Sequence, residues 1–192
     1  VVVVSATVGT ALGAIAGYAG GRVDDVISRV IDVLLAFPGL LLAIALVAVL
    51  GPSLVNVLFA LTIIGWVGYA RLVRGQVLRA REFEYVQAAR ALGAGTLRVL
   101  WRHIIPTALP AVVVQGTLGM AGAIIGEASL SFLGLGVQPP TPSWGTMLNG
   151  GRAHILDAPH LTLFPGLAIA LLVLGLNFLG DGLRDRVDPR SR

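Results

Sequence analysis

No cysteine and no lysine occur in the 192 residues, and only 12% of them are charged. Each absence removes a class of function. Without cysteine there is no disulfide framework, thiolate metal site or cysteine nucleophile. Without lysine there is no phosphate-binding P-loop, whose Gly-x-x-x-x-Gly-Lys-[Ser/Thr] run needs the ammonium on the β- and γ-phosphates. Soluble domains carry roughly 25% charged residues, so this chain lacks the polar cover a water-facing fold requires. Its basic excess of +4 is all arginine. In so apolar a chain that excess reflects the positive-inside bias of membrane loops rather than nucleic-acid binding. Ser129 and Ser131 lie near one membrane end and His103 near the other, so no Ser–His pair forms across the bilayer. Asp32, Glu127 and Asp181 fall near span ends, which speaks against a proton-coupled carrier.

What is present is 56% hydrophobic and arranged in runs. Five of these, about 1–19, 30–50, 54–73, 106–128 and 161–180, approach the length of about 20 apolar residues that a helix needs to cross a bilayer. In lipid each must be helical, because only a helix satisfies its backbone polar groups within one segment. The opening VVVVSATVGTALGAIAGYAGG begins inside such a run, with no initiator Met and no basic flank. It therefore reads as a span in a fragment and not as a signal peptide.

The arginines give the orientation. Arg22 and Arg29 fall after the first span; Arg71, Arg74, Arg79, Arg81, Arg90, Arg98 and Arg102 fall in or at the edge of 74–105; Arg184, Arg186, Arg190 and Arg192 follow the last span. Alternating spans place all of these on one side and leave only Arg152 on the other, which makes the first side cytoplasmic.

Gly9, Gly13, Gly17 and Gly21 recur every four residues, and Gly122 and Gly126 repeat the spacing. Small residues at that interval let helix backbones approach closely in lipid. They either hold this chain together or form a subunit interface. Pro38-Gly39, Pro106, Pro110 and Pro165 are expected to kink or start helices. Asn56 and Gln115 are polar residues within spans and candidates to line a path, which helical phase alone does not settle.

The stretch EYVQAARALGAGTLRVLWRHIIPTALP, residues 84–110, is unlike its surroundings. Tyr85, Ala88, Ala89 and Leu92 fall at i, i+3, i+4 and i+7, one stripe of a helix, with Gln87 and Arg90 beside it. Gly93 is a natural helix stop, and Thr96 is placed to cap a second helix through Ile105. Small alanines on that stripe let another protein come close. The alternative, an amphipathic helix lying on headgroups, wants large apolar residues on one face. The segment 129–160 is rich in Pro and Gly and reads as a loop with short helices. In it His154, Asp157 and His160 are readable as metal ligands or as solvated residues, and Trp144 as an interfacial anchor or a binding platform.

At Gln87-Ala88-Ala89, three residues, Gly93, nine residues, then His103-Ile104-Ile105-Pro106, the chain resembles the permease subunits of bacterial binding-protein-dependent ABC importers. Their "EAA" signature runs E-A-A, three residues, G, nine residues, I-x-L-P; Gln87, His103 and Ile105 depart from it. GEASLSFLGLGVQPPTPSWGTML and FPGLAIALLVLGLNFLGDGLRDRVDPR extend the likeness to the dipeptide, oligopeptide and nickel branch, and within it to the second of two paired permeases.

The resemblance implies an all-α polytopic bundle, the type I importer transmembrane domain, over 1–187. It implies a coupling loop at 84–105, an external loop at 129–160 and a cytoplasmic tail at 188–192. The family has six spans and this chain five. Glu84, Tyr85, Gln87, Ala88, Ala89, Arg90 and Gly93 would form the ATPase-docking helix; Gly9, Gly13, Gly17, Gly122 and Gly126 would pack helices. No cofactor, catalytic residue or metal belongs to this chain, ATP and Mg²⁺ being held by partners. Those partners are a second homologous permease, two cytoplasmic ATPases, an extracytoplasmic substrate-binding protein and the lipid of the bacterial inner membrane, with no nucleic acid. The cargo is a dipeptide or oligopeptide, with nickel, glutathione, or a secondary carrier of another class as alternatives. Gln87 in place of Glu removes a possible ion pair, but exposed pairs contribute only about 0–1 kcal/mol, so docking is expected to survive. Deleting residues 84–93 is expected to abolish both uptake and copurification of an ATPase; normal transport by the deletion would end this reading.

Overall fold

A computed structural model describes residues 1–187. Among them the regular structure is entirely helical. The 188–192 tail, with Arg190 and Arg192, lies outside the described residues.

Helix α1 (Val2–Ala19) ends where Gly20 and Gly21 both take positive φ, 64° and 51°. This left-handed pair reverses the chain into α2 (Gly21–Ala36). Gly21 thus opens the next helix and does not continue the glycine face of α1. Phe37 then adopts extended angles, φ −96° and ψ 136°, as a residue before proline must when the ring excludes the helical region. Pro38 caps α3 (Gly39–Leu50), and the two helices meet at a bend of 87°. The apolar run 30–50 is therefore not one straight span. Its first seven residues belong to α2, which also carries Arg22, Asp24, Asp25, Arg29 and Asp32.

After Gly51 (φ 93°), Ser53 caps α4 (Leu54–Ala80) by accepting from Asn56 N–H. The Asn56 carboxamide donates back to Leu50 O and Gly51 O, both at 2.9 Å. Asn56 is thus a clamp on the α3–α4 turn, not a path-lining residue. At 27 residues α4 is about 40 Å long, longer than the roughly 30 Å hydrocarbon core. It continues beyond the expected limit at residue 73, so Arg74 and Arg79 are helical and not in a loop.

Helix α5 (Glu84–Ala91) and α6 (Thr96–Val99) follow. The N-cap of α6 is Gly95, with no side-chain cap bond, so Thr96 is the first helical residue and not the cap. A π-helical turn, Leu100–Ile104, leads into α7 (Ile105–Phe132). The segment 129–160 holds α8 (Trp144–Gly151), a 3₁₀ turn (Arg152–His154) and the start of α9 (His160–Val187). By length and composition Val2–Ala19, Leu54–Ala80, Thr96–Phe132 and His160–Arg186 are able to cross a membrane, and the bent pair α2–α3 makes a fifth span if taken as one.

α4 is the element on which the others pack. Gly9, Gly13 and Gly17 are buried directly against its backbone. A methyl at Gly9 or Gly13 would overlap the carbonyl oxygens of Trp66 and Ala70; at Gly17 it would lie 2.9 Å from both Arg74 O and Val77 Cβ. These three glycines hold α1 on α4 within one chain. Gly126 meets only the Leu61 side chain, and Gly122 has nothing within 4 Å, so Gly122 departs from the expected packing role in this chain. α2 is fixed to α4 by a two-pronged ion pair: Asp24 carboxylate oxygens accept from Arg74 Nε at 2.5 Å and Nη2 at 2.7 Å. Ile31 adds burial beside Val67 and Ala70. α3 joins through Ala43 and Val47 against Val57 and Ala60.

Overpacking a tight contact costs typically 1–3 kcal/mol. Gly13→Leu is therefore expected to destabilise the bundle by about that much, while Gly122→Ala changes it by less than about 0.5 kcal/mol. Thermal unfolding in detergent reads both; equal shifts would show that α1 is not seated on the α4 backbone.

Candidate functional site

The loop that reaches out from the spans is built around α5. Phe83 enters in extended conformation. Glu84 stands in the first turn and Arg90 in the last, each opposite in sign to its end of the helix dipole. The helix closes in a Schellman arrangement: Gly93 N–H donates to Arg90 O at 2.9 Å and Ala94 N–H to Ala89 O at 3.0 Å. Gly93 has φ 83°, which only glycine adopts without strain.

One residue anchors this helix. Val86 is fully buried in a cluster with Ala14 of α1, Val77 and Ala80 of α4, and Val99, Leu100 and Ile104 at the entry to α7. Sequence periodicity pointed to Tyr85, Ala88, Ala89 and Leu92, and did not single out Val86. Of that stripe Tyr85 and Ala88 are exposed, Ala89 is half-buried, and Leu92 is 89% exposed. The stripe is thus the outer face and Val86 the inner one. Two polar links steady the helix. The Tyr85 hydroxyl donates to His103 O at 3.4 Å, with the rings stacked at 6.4 Å, and the Arg90 guanidinium stands 4.8 Å over the Tyr18 ring of α1. The Gln87 carboxamide donates to Glu82 O at 3.2 Å, so it caps locally while its residue remains exposed. Arg81 reaches Gly17 O at 3.4 Å and ties the end of α4 to α1.

The π-helical turn lies directly before Pro106. Proline has no N–H to give, and a π turn alters the bonding register just ahead of it. Within that turn His103 Nδ1 is buried with no hydrogen-bond partner among the described residues. No sequence signal located the π turn, and the Asp24–Arg74 pair spans 50 positions, beyond reach of any local pattern.

Among α1, α3, α4 and α7, away from the α5 end of the bundle, lies a cavity of 370 Å³. Ser5, Leu40, Gly65, Tyr69, Gln115 and Gly122 contribute to its wall. Of the two polar residues considered from sequence, Gln115 faces this space and Asn56 does not.

At the opposite end, the segment after α7 is folded onto that helix. The Ser131 hydroxyl donates to Glu127 Oε1 at 2.6 Å and accepts from Val137 N–H at 3.1 Å. The Asn149 amide reaches Phe132 O, and Ser143 with Thr146 forms a capping box on α8. Trp144 opens α8 and is 40% exposed. His154 Nδ1 and Asp157 Oδ2 lie 3.1 Å apart, both exposed; among the described residues they do not join His160 in a metal-holding group.

Residues 9–192 match the family described as "Binding-protein-dependent transport system inner membrane component". The chain is 51% identical over 184 residues to the dipeptide transport system permease protein DppC of Alkalihalophilus pseudofirmus, covering 96% of this chain and 60% of the relative. It is 49% identical over 191 residues to the glutathione transport system permease protein GsiD of Pectobacterium atrosepticum, covering 100% of this chain and 64% of the relative. The chain thus spans less than two thirds of the length of either. Among solved structures, one described as inward-facing conformations of the MetNI methionine ABC transporter superposes with a TM-score of 0.69 at 19% identity, over 97% of this chain and 91% of that one. That likeness concerns the fold.

Val86→Ala removes two buried carbons, worth about 2 kcal/mol, from the single apolar anchor of α5. Amide hydrogen exchange across 84–91 is expected to rise roughly thirtyfold; unchanged exchange would mean that Tyr85 and Arg90 hold the helix instead.

Proposed function

Because the chain belongs to the family of binding-protein-dependent transport system inner membrane components, we propose that it is the permease subunit of an ATP-driven importer. It is a multi-pass membrane protein; its task on this reading is to form half of a translocation pathway. One observation carries the coupling role: α5 presents Tyr85, Ala88 and Leu92 outward while Val86 alone is sunk where α1, α4 and α7 meet. A partner that displaces α5 moves three helix ends with it.

The orientation follows from the arginines. Arg79 and Arg81 at the end of α4, and Arg90, Arg98 and Arg102 beyond it, occupy the same end of the bundle as Arg184 and Arg186. Gly180 of α9 packs on Thr117 while Ile169 shares a pocket with Ala128 and Phe132, so α9 runs antiparallel to α7. Arg152 stands in the opposite connection. The positive-inside bias makes the α5 end cytoplasmic, with the C-terminus there too. ATP and Mg²⁺ are bound by separate ATPase subunits that dock on α5, a second homologous permease completes the pathway, and an extracytoplasmic binding protein delivers cargo to the α8 side. The relatives are named for dipeptide and glutathione transport. Both cargoes are short peptides, and a small peptide is the substrate class proposed here.

The mechanism is alternating access. ATP-driven closure of the ATPases favours one of two arrangements of the bundle, and the shift equals the differential binding of the two states. Copurification from membranes tests it. ATPase subunits and a second permease are expected to accompany the full-length protein. Ala88→Trp, on the exposed face, should leave folding intact while reducing ATP-dependent uptake at least tenfold. Uptake that persists without ATP on an ion gradient would replace this reading with a secondary carrier; a protein that recruits no ATPase and moves no solute would be a scaffold.

A further inference from the structure

The wall of the 370 Å³ cavity has a particular chemistry. Its volume falls within the range of small-ligand sites, roughly 300–1,000 Å³. No charged side chain lines it, and five of its residues are glycine. Along α7 the lining residues Gln115, Gly119, Gly122 and Gly126 fall at i, i+4, i+7 and i+11; the Tyr69 hydroxyl covers Gly119 and the Leu61 side chain covers Gly126, so this helix face presents a carboxamide and, at Gly122, open backbone. Two polar neighbours are already engaged: Ser5 donates to Thr62 O and Tyr69 to Gln115 O, each at 3.4 Å; the Ser129 hydroxyl also lines the space. The Gln115 carboxamide has no hydrogen-bond partner among the described residues. Space for it is left at Gly68, where an added methyl would stand 3.8 Å from Nε2. A polar side chain within a span, unpartnered and open to a cavity, keeps its donor and acceptor available to whatever enters that space.

We propose that Gln115 is a specificity-determining residue that recognises the backbone amide of a peptide passing through this cavity. A carboxamide donates and accepts at once, and a secondary amide offers one N–H and one C=O in return. The two therefore pair through two hydrogen bonds. An ionic group finds no counter-charge in this wall and loses hydration on entering, so the site reads the uncharged middle of the cargo and leaves its termini to water or to other surfaces. Gly122, with open space beside it, lets a main chain approach the helix closely.

This inference rests on the permease reading, and the experiment separates the two. The complete transporter, with its partner subunits and binding protein, is reconstituted in liposomes. Uptake of dialanine is compared with uptake of its analogue methylated on the amide nitrogen, which cannot donate. The binding protein is the same in every arm, so its own preference cancels in the comparison of variants. Wild type should prefer the unmethylated peptide over the analogue by a ratio roughly tenfold larger than Gln115→Leu does, a difference of the size one lost hydrogen bond produces. Gln115→Met, which keeps the side-chain length without donor or acceptor, should behave like Gln115→Leu and guards against a folding defect of either variant. An unchanged ratio in both variants, with uptake retained, overturns the role of Gln115 and indicates that the cavity is filled by a helix of the second permease. Failure of wild type to import dialanine or glutathione overturns the peptide reading itself, and this inference with it.

Discussion

The direct contact of two helix backbones, α1 on α4, is the constraint from which the rest of the architecture follows. In lipid, helices gain nothing from hiding apolar side chains, since the tails are equally apolar; close van der Waals approach and polar links must hold them together. Gly9, Gly13 and Gly17 supply that approach by placing no atom between the two main chains. Once α1 is seated, the ends of α1 and α4 coincide in space. Arg81 then reaches Gly17 O, Arg90 lies over Tyr18, and Val86 finds a pocket walled by Ala14, Val77 and Ala80. The exposed helix α5 thus has a defined position because two glycine-coupled spans give it a floor.

Much of the bundle was legible in the sequence, for a simple reason. Hydropathy sums identify a span wherever about 20 apolar residues run together, and four of the five expected spans correspond to continuous helical runs long enough to cross a membrane. Legibility failed where hydropathy and helicity part company. α4 continues through Arg74 and Arg79 because hydrogen bonding along a helix is indifferent to side-chain charge, and Asp24 neutralises Arg74 from a helix 50 positions away. The run 30–50 is apolar enough to read as one span, yet a single Phe37-Pro38 bond turns it through 87°. Proline signals that a break is present, but the angle is set by what each half packs against: Ile31 on Val67 for α2, Ala43 and Val47 on Val57 and Ala60 for α3.

At the candidate site the same distinction holds at finer scale. The spacing of Tyr85, Ala88, Ala89 and Leu92 identified a helix face, but spacing alone does not say whether a face is inward or outward. Val86 is interior because residues from three distant helices converge on it. Asn56 and Gln115 posed the same question, two polar residues in apolar runs, and received opposite answers. One lies a turn into α4, where the Leu50 and Gly51 carbonyls need donors. The other lies well inside α7, where no such carbonyl is near and the carboxamide meets open space.

The π turn at Leu100–Ile104 gives the joint between α5 and α7 its mechanical character. A run of α-helix transmits displacement stiffly, because every turn is tied by hydrogen bonds to the next. A π turn has poorer bonding geometry and tolerates a change of register, and here it precedes a residue with no N–H to offer. The buried, unpartnered His103 Nδ1 shows that packing in this turn is not fully resolved by the chain's own groups. Tyr85 bridges directly from α5 to the His103 carbonyl in it. A displacement of α5 therefore reaches α7 by two routes of different stiffness: the close-packed Val86 cluster, and a single long hydrogen bond onto the softest turn of the helix. On the permease reading, the first route carries the movement of the helix end, and the second lets the remainder of α7 rotate about Pro106 without tearing α5 from its floor.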